Sequence, residues 1–174
     1  MLGSSRNHFV LASERRQPMS NLDDLLCDLL QQEDDLQFAR FTNEMALELG
    51  LALLDAARAH TGSITIDISR HGQQLFHYAM PGTAADNDDW IRRKNNVVRR
   101  FGHSSFYVGT VLRNAGQTME EKYLLSSQDY AAHGGAFPLI IREVGVVGAI
   151  TVSGLPQQED HELVVTTVRR FLAQ

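Results

Sequence analysis

The feature that most constrains the fold of this chain is a pair of β-hairpin patterns, one in each half. Residues 63–69 alternate isoleucine with polar residues, and Arg70-His71-Gly72 turns this strand back into a second one over residues 73–80. The other hairpin joins residues 136–142 to residues 146–153. Because a hairpin joins antiparallel strands, the sheet that contains these segments cannot be entirely parallel.

Helical patterns fill most of the remaining sequence. Gly50 interrupts one of them, and since glycine costs a helix about 1 kcal/mol relative to alanine, we expect a close backbone contact there that compensates. A short alternating segment, residues 36–41, adds a fifth predicted strand. The order of elements predicts an α+β fold, with helices packed on one five-stranded, mainly antiparallel sheet. The predicted helices begin at Ser20 or Asn21, Thr42 or Asn43, Asp86 or Asn87, Ser104 or Ser105, and Pro156.

Length and charge limit the domain organisation and the possible partners. The 174 residues predict a single domain over residues 19–174, and residues 1–18 are predicted to be a disordered extension or part of an over-long gene model. The net charge of -5 argues against a dedicated nucleic-acid binder, and no run approaches the ~18 apolar residues of a membrane span. Residues 1–18 also lack the apolar core of a secretory signal, so we expect a cytoplasmic protein.

A dense cationic segment is the strongest functional signal. Trp90 opens this segment, and within the same predicted helix Arg92, Arg93, Lys94, Arg99 and Arg100 lie within nine residues. Arginines seven residues apart share a helix face and could hold a carboxylate or a phosphate. The alternative is a solvated face that pairs with acidic residues, and the single tryptophan could equally be a core or interface anchor.

Glycines and histidines supply the other candidates. Two glycines after His133 permit a positive φ or a close approach. His103 follows a helix end, and Asp160-His161 lies near the start of the last helix. The spacing of His71 and His77 is not an established zinc pattern, so no metal site is predicted. No phosphate-binding loop is present, so the sequence does not predict nucleotide binding by that route. The candidate ligand-binding residues are Trp90, Arg92, Arg93, Lys94, Arg99, His103, His133, Gly134, Gly135, Asp160 and His161.

Several long motifs resemble one known family, the uncharacterised protein family 0303. They are D-I-S-R-H-G-Q-Q-L-F-H from Asp67, M-P-G-T-A-A-D-N-D-D-W-I-R-R-K from Met80, R-F-G-H-S-S from Arg100, H-G-G-A-F-P from His133 and V-S-G-L-P-Q-Q-E-D-H from Val152. The family is similar to the GlcG-like and HbpS-like proteins of the haem-degrading-domain superfamily. The resemblance implies a profilin-like, three-layer α/β/α fold with a five-stranded antiparallel sheet, and a compact homo-oligomer. It also implies haem as a possible ligand, without assigning an axial ligand to any residue.

Three functions compete at this point. The first is a binding protein for an anionic, partly apolar small molecule such as haem, held by the cations and faced by His133 or His103. The second is an oligomeric adaptor or structural protein without catalysis. The third is an enzyme of unknown reaction class, with Asp67, His133, Asp160 and His161 as acid–base candidates.

Overall fold

The computed structural model describes residues 21–174, so the predicted extension at residues 1–18 lies outside the described residues. Within the described part, no helix is long and apolar enough to cross a membrane. The helices are α1 (Asn21–Asp35), α2 (Asn43–Ala57), α3 (Ala85–Phe101), α4 (Ser105–Ala115), α5 (Met119–Tyr123) and α6 (Gln157–Leu172). The strands are β1 (Thr65–Arg70), β2 (Gln73–Ala79), β3 (Ala136–Ile141) and β4 (Gly145–Ser153).

Among residues 21–174 the sheet has four strands in the order β2-β1-β4-β3, and every neighbouring pair is antiparallel. Both predicted hairpins are therefore confirmed, but the prediction of five strands is wrong. Residues 36–41 meet the sheet at one residue only, where the Phe38 N–H donates to Ile140 and the Phe38 carbonyl accepts from Arg142, each at 2.8 Å. The apolar residues of this segment, Leu36, Phe38 and Phe41, are buried in the core, which accounts for the alternation. No further strand pairing forms, because the chain enters α2 at Asn43.

Helices cover both faces of the sheet. On one face, the fully buried Ile66 and Ile68 of β1, with Ile64 just before the strand, pack in the main core with residues of α2 and α6. On the other face, α3 lies over β1 and β4, and the polar side chains of β1 point toward it. The fold is thus α+β with helices on both sides of an antiparallel sheet, and the second face is unusually polar for a buried layer.

Gly50 of α2 confirms the expected close contact. A Cβ at this position would overlap the ring of Phe76, which β2 presents to the helix. Because the missing side chain lets α2 approach β2, the packing of Phe76 compensates for the weak helix propensity of glycine.

Candidate functional site

The candidate site is built where α3, β4 and the start of α6 meet. Lys94 lies in the middle of α3 and is almost completely buried. Its Nζ donates to Asp160 Oδ2 at 2.9 Å and to the Val152 carbonyl at 3.1 Å. The other oxygen of Asp160 accepts from the Leu155 N–H at 3.0 Å, so this carboxylate also orders the β4–α6 connection.

Burial dominates the electrostatics of this ion pair. Loss of hydration lowers the pKa of Lys94, and the nearby Asp160 carboxylate only partly opposes that shift. Loss of hydration likewise raises the pKa of Asp160 against the opposing charge of Lys94. Both groups are therefore costly to charge in isolation, and each depends on the other to remain ionised inside the protein.

Gly134 and Gly135 leave the space that this pair needs. Gly135 has a φ of 122°, and a Cβ there would lie 2.6 Å from Lys94 Nζ. A Cβ on Gly134 would overlap the backbone carbonyl of Gln157 at the start of α6. The two glycines do permit a close approach, but the groups that approach them belong to the chain itself.

His133 stands at the mouth of this arrangement, with its side chain exposed. The centroids of the His133 and Trp90 rings lie 5.3 Å apart in an edge-to-face arrangement. The Arg93 guanidinium lies over the Trp90 ring, 4.1 Å from the ring centroid. Partial desolvation and the charges of Lys94, Arg93 and Arg113 lower the pKa of His133. The imidazole is therefore held neutral in a positive local potential at pH 7.

Two concavities meet at His133 and Gln157. The smaller has a volume of about 270 Å³ and contains the polar groups around the buried ion pair. The larger, of about 470 Å³, lies between α4, α5 and the residues that precede β3. We call the two together the His133 cleft. Beside the two shared residues, its lining includes Asp86, Asn87, Trp90, Lys94, Ser153 and Asp160 in the smaller part, and Leu112, Arg113, Met119 and Tyr130 in the larger.

The comparisons with known proteins decide the family. The sequence pattern of the family described as haem degrading protein HbpS-like matches residues 41–169. A UPF0303 protein of Streptomyces coelicolor is 52% identical over 149 residues, which are 86% of this chain and 94% of that protein. The chain is an HbpS-like protein of the UPF0303 family.

Solved structures agree with this family assignment. The crystal structure of the Ybr137w protein is 37% identical, with a TM-score of 0.80 over 85% of this chain and 87% of that one. The structure of a PduOC:heme complex has a TM-score of 0.62 over 74% of this chain and 93% of that one. At 17% identity, the second likeness shows a shared fold alone.

Within this HbpS-like fold, the cations of α3 do not converge on one site. Lys94 lines the His133 cleft and Arg93 stacks on Trp90 of that lining, whereas Arg92 points to the other side of the helix. The Arg92 guanidinium is fully engaged by the Asp89 and Asp129 carboxylates and by the Gln128 carbonyl. Arg99 lines a separate groove on that same side.

The remaining predicted histidines also lie away from the cleft. His103 Nδ1 pairs with Glu33 of α1 at 2.6 Å, which raises the pKa of His103. His161 is buried behind Gly134, where its Nε2 meets Gln32 Oε1 at 2.8 Å and its ring packs on Phe106. Asp160 and His161 accordingly point in different directions, as their neighbouring positions on a helix predict.

Arg113 is the residue that sequence reasoning missed. It lies in the last turn of α4, lines the larger part of the cleft and forms no ion pair with any of residues 21–174. Its Nη2 donates to Thr110 Oγ1 at 2.7 Å. The sequence signal for this part of the site is Gly109 in the middle of α4. A Cβ on Gly109 would overlap the Ala132 carbonyl, so the glycine lets α4 pack against the segment that carries His133.

Proposed function

We propose that this HbpS-like chain binds an anionic, partly apolar small molecule in the His133 cleft. The observation that carries the proposal is the exposed imidazole of His133 at the junction of two concavities, with Arg93, Lys94 and Arg113 around it. A positive potential in a concave, partly apolar site favours a ligand with both acidic groups and a hydrophobic body. Of these cations, Arg113 is the one that carries no carboxylate partner among residues 21–174.

Haem is the ligand of this class that the residues fit best. A neutral imidazole can coordinate iron, and the lowered pKa of His133 keeps its ring neutral. Arg113 and Arg93 would pair with the propionates, and Leu112, Met119 and Tyr130 would contact the porphyrin. When bound, haem would supply an iron centre, and the chain would supply its binding, its orientation and the surrounding charge. A protein that shares this fold has been crystallised as a heme complex, so the fold is compatible with this ligand.

A haemin titration of protein without a histidine tag tests this proposal. We expect a saturable shift of the Soret band, lost in His133→Ala because the iron ligand is gone. Arg113→Gln should weaken binding roughly tenfold, since a charge-assisted hydrogen bond is removed. The matched control is His60→Ala, because His60 pairs with Glu159 near α6 on the opposite side of the sheet. A broad, non-saturating response of the wild-type protein would contradict haem binding.

A second proposal concerns assembly, and it rests on an exposed apolar surface beside an edge strand. Leu47 and Leu51 lie one turn apart on α2, and each exposes 52% of its surface. Tyr78 of β2 is also exposed and lies on the same face of the sheet as Phe76, which packs on α2. Because an edge strand with apolar neighbours favours pairing, we infer that copies of this chain associate through α2 and β2.

Light scattering coupled to size exclusion tests the assembly. Leu47→Glu with Leu51→Glu should lower the measured mass to that of a smaller species, because the introduced carboxylates of both copies would meet at the interface of a symmetric pair. The control is Leu124→Glu, at a side chain that is 89% exposed in a different part of the fold. A wild-type mass equal to one chain would rule this proposal out.

A further inference from the structure

A buried carboxylate lies on the polar face of β1, away from the His133 cleft. Asp67 is only 3% exposed. Its Oδ2 accepts from Asn95 Nδ2 of α3 at 3.0 Å, and its Oδ1 accepts from Gln74 Nε2 of β2 at 2.7 Å. Asn95 in turn accepts a short hydrogen bond from the Thr151 hydroxyl of β4, so three strands and one helix fix the position of this carboxylate.

These contacts leave Asp67 with unused acceptor capacity. A carboxylate offers about four acceptor positions, and the two amides occupy one on each oxygen. No lysine or arginine among residues 21–174 pairs with Asp67, and its nearest cationic candidate is His77 Nδ1 at 3.7 Å. A buried carboxylate is costly without a compensating cation, so the site favours a positively charged group from outside.

Asp67 faces a groove of about 370 Å³ that has room for such a group. Asp88 also lines it, and its carboxylate lies 3.3 Å from His77 Nε2. Within residues 21–174, no three histidine, cysteine, aspartate or glutamate side chains are grouped to hold a metal ion. An organic ammonium group therefore suits this end of the groove better than a metal does.

The same groove also presents a cation. Arg92 on its wall is engaged by two carboxylates and a carbonyl, but Arg99, seven residues further along α3, makes no ion pair among the described residues. Its exposed guanidinium can hold a carboxylate through two parallel hydrogen bonds. The groove thus combines a buried carboxylate that no lysine or arginine among residues 21–174 neutralises with a guanidinium that forms no ion pair among them.

We propose that this groove is a second small-molecule site, and that it binds a zwitterion of the α-amino-acid class. The ligand's ammonium group would meet Asp67, and its carboxylate would meet Arg99. None of the residues that line this groove lines the His133 cleft, so the two sites are independent. The network around Asp67 would fix the carboxylate in place before the ligand arrives, which reduces the entropic cost of binding.

Isothermal titration of the full chain with a panel of free amino acids tests this site. The panel includes glycine, alanine, lysine and aspartate, with methylamine and acetate as probes of each half alone. We expect saturable binding of at least one amino acid, and binding weaker by roughly tenfold or more for both half-probes. Arg99→Gln and Asp67→Asn should each weaken the binding of that amino acid by roughly tenfold or more, since each removes one charged contact.

Two control variants locate the binding in this groove. Arg100→Gln makes the same change of charge at the next residue, which does not line the groove, and should leave the affinity unchanged. His133→Ala should also leave it unchanged, because His133 belongs to the other cleft. If Asp67→Asn fails to fold, the exposed Arg99→Gln still decides the question. Absence of saturable binding by every amino acid, or equal losses in Arg99→Gln and Arg100→Gln, would overturn the proposal.

Discussion

Lys94→Met is expected to lower the free energy of unfolding by about 3–5 kcal/mol, because it leaves the buried Asp160 carboxylate without its cation. Asp160→Asn should be costly for the converse reason, although its amide oxygen can still accept from the Leu155 N–H. The double variant should lose much less than the sum of the two single losses, since neither charge remains to be desolvated. Urea denaturation at pH 7 measures all three.

The matched control for this prediction lies on the same helix. Arg92 pairs with Asp89 at 2.9 Å, but both side chains are about half exposed, so water and salt screen the pair. Arg92→Met should therefore cost far less than Lys94→Met. Strictly additive losses in the Lys94 and Asp160 variants would show that the two groups do not stabilise each other, and would contradict the assigned role of the pair.

The elements that were predicted correctly are those whose signal is local. Thr42 accepts from the Met45 N–H at 3.2 Å and Ser104 accepts from the Tyr107 N–H at 3.1 Å, so the caps seen in the sequence do begin α2 and α4. The turn at Arg70-His71-Gly72 likewise joins β1 to β2. The prediction of a strand at residues 36–41 was wrong, because alternation alone cannot distinguish a strand from an extended segment that places three apolar side chains in the core.

The candidate site was only partly accessible to sequence reasoning. The spacing of Trp90, Arg93 and Lys94 places them on one side of α3, and the structure brings His133 to that side. Asp160, the partner of Lys94, lies 66 residues further along the chain. The pairing therefore follows from the packing of α6 on β4 and leaves no local signal in the sequence. The burial of Asp67 was hidden for a different reason, because a polar residue in an alternating strand predicts solvent exposure, whereas α3 covers this side chain.

The stability of the protein is expected to fall as the pH decreases from 6.5 to 4, and His161 should account for about 3 kcal/mol of that fall. Burial lowers the pKa of His161 from 6.5 to about 4. Between these two values, the unfolded chain binds a proton at His161 that the folded chain does not bind. Lower pH therefore stabilises the unfolded state, and unfolding curves recorded across this range measure the effect.

The contribution of His161 is isolated by subtracting the curve of His161→Gln, which cannot titrate but can still donate to Gln32. This subtraction is needed because Asp160, whose pKa is raised by burial, titrates with the opposite sign. His103→Gln provides a contrast. Glu33 raises the pKa of His103, so that residue stabilises the fold below pH 6.5 and loses its contribution as the pH rises through the higher folded value. If wild type and His161→Gln show parallel curves between pH 4 and 6.5, the imidazole must accept a proton inside the fold, where its Nδ1 has no partner among the described residues.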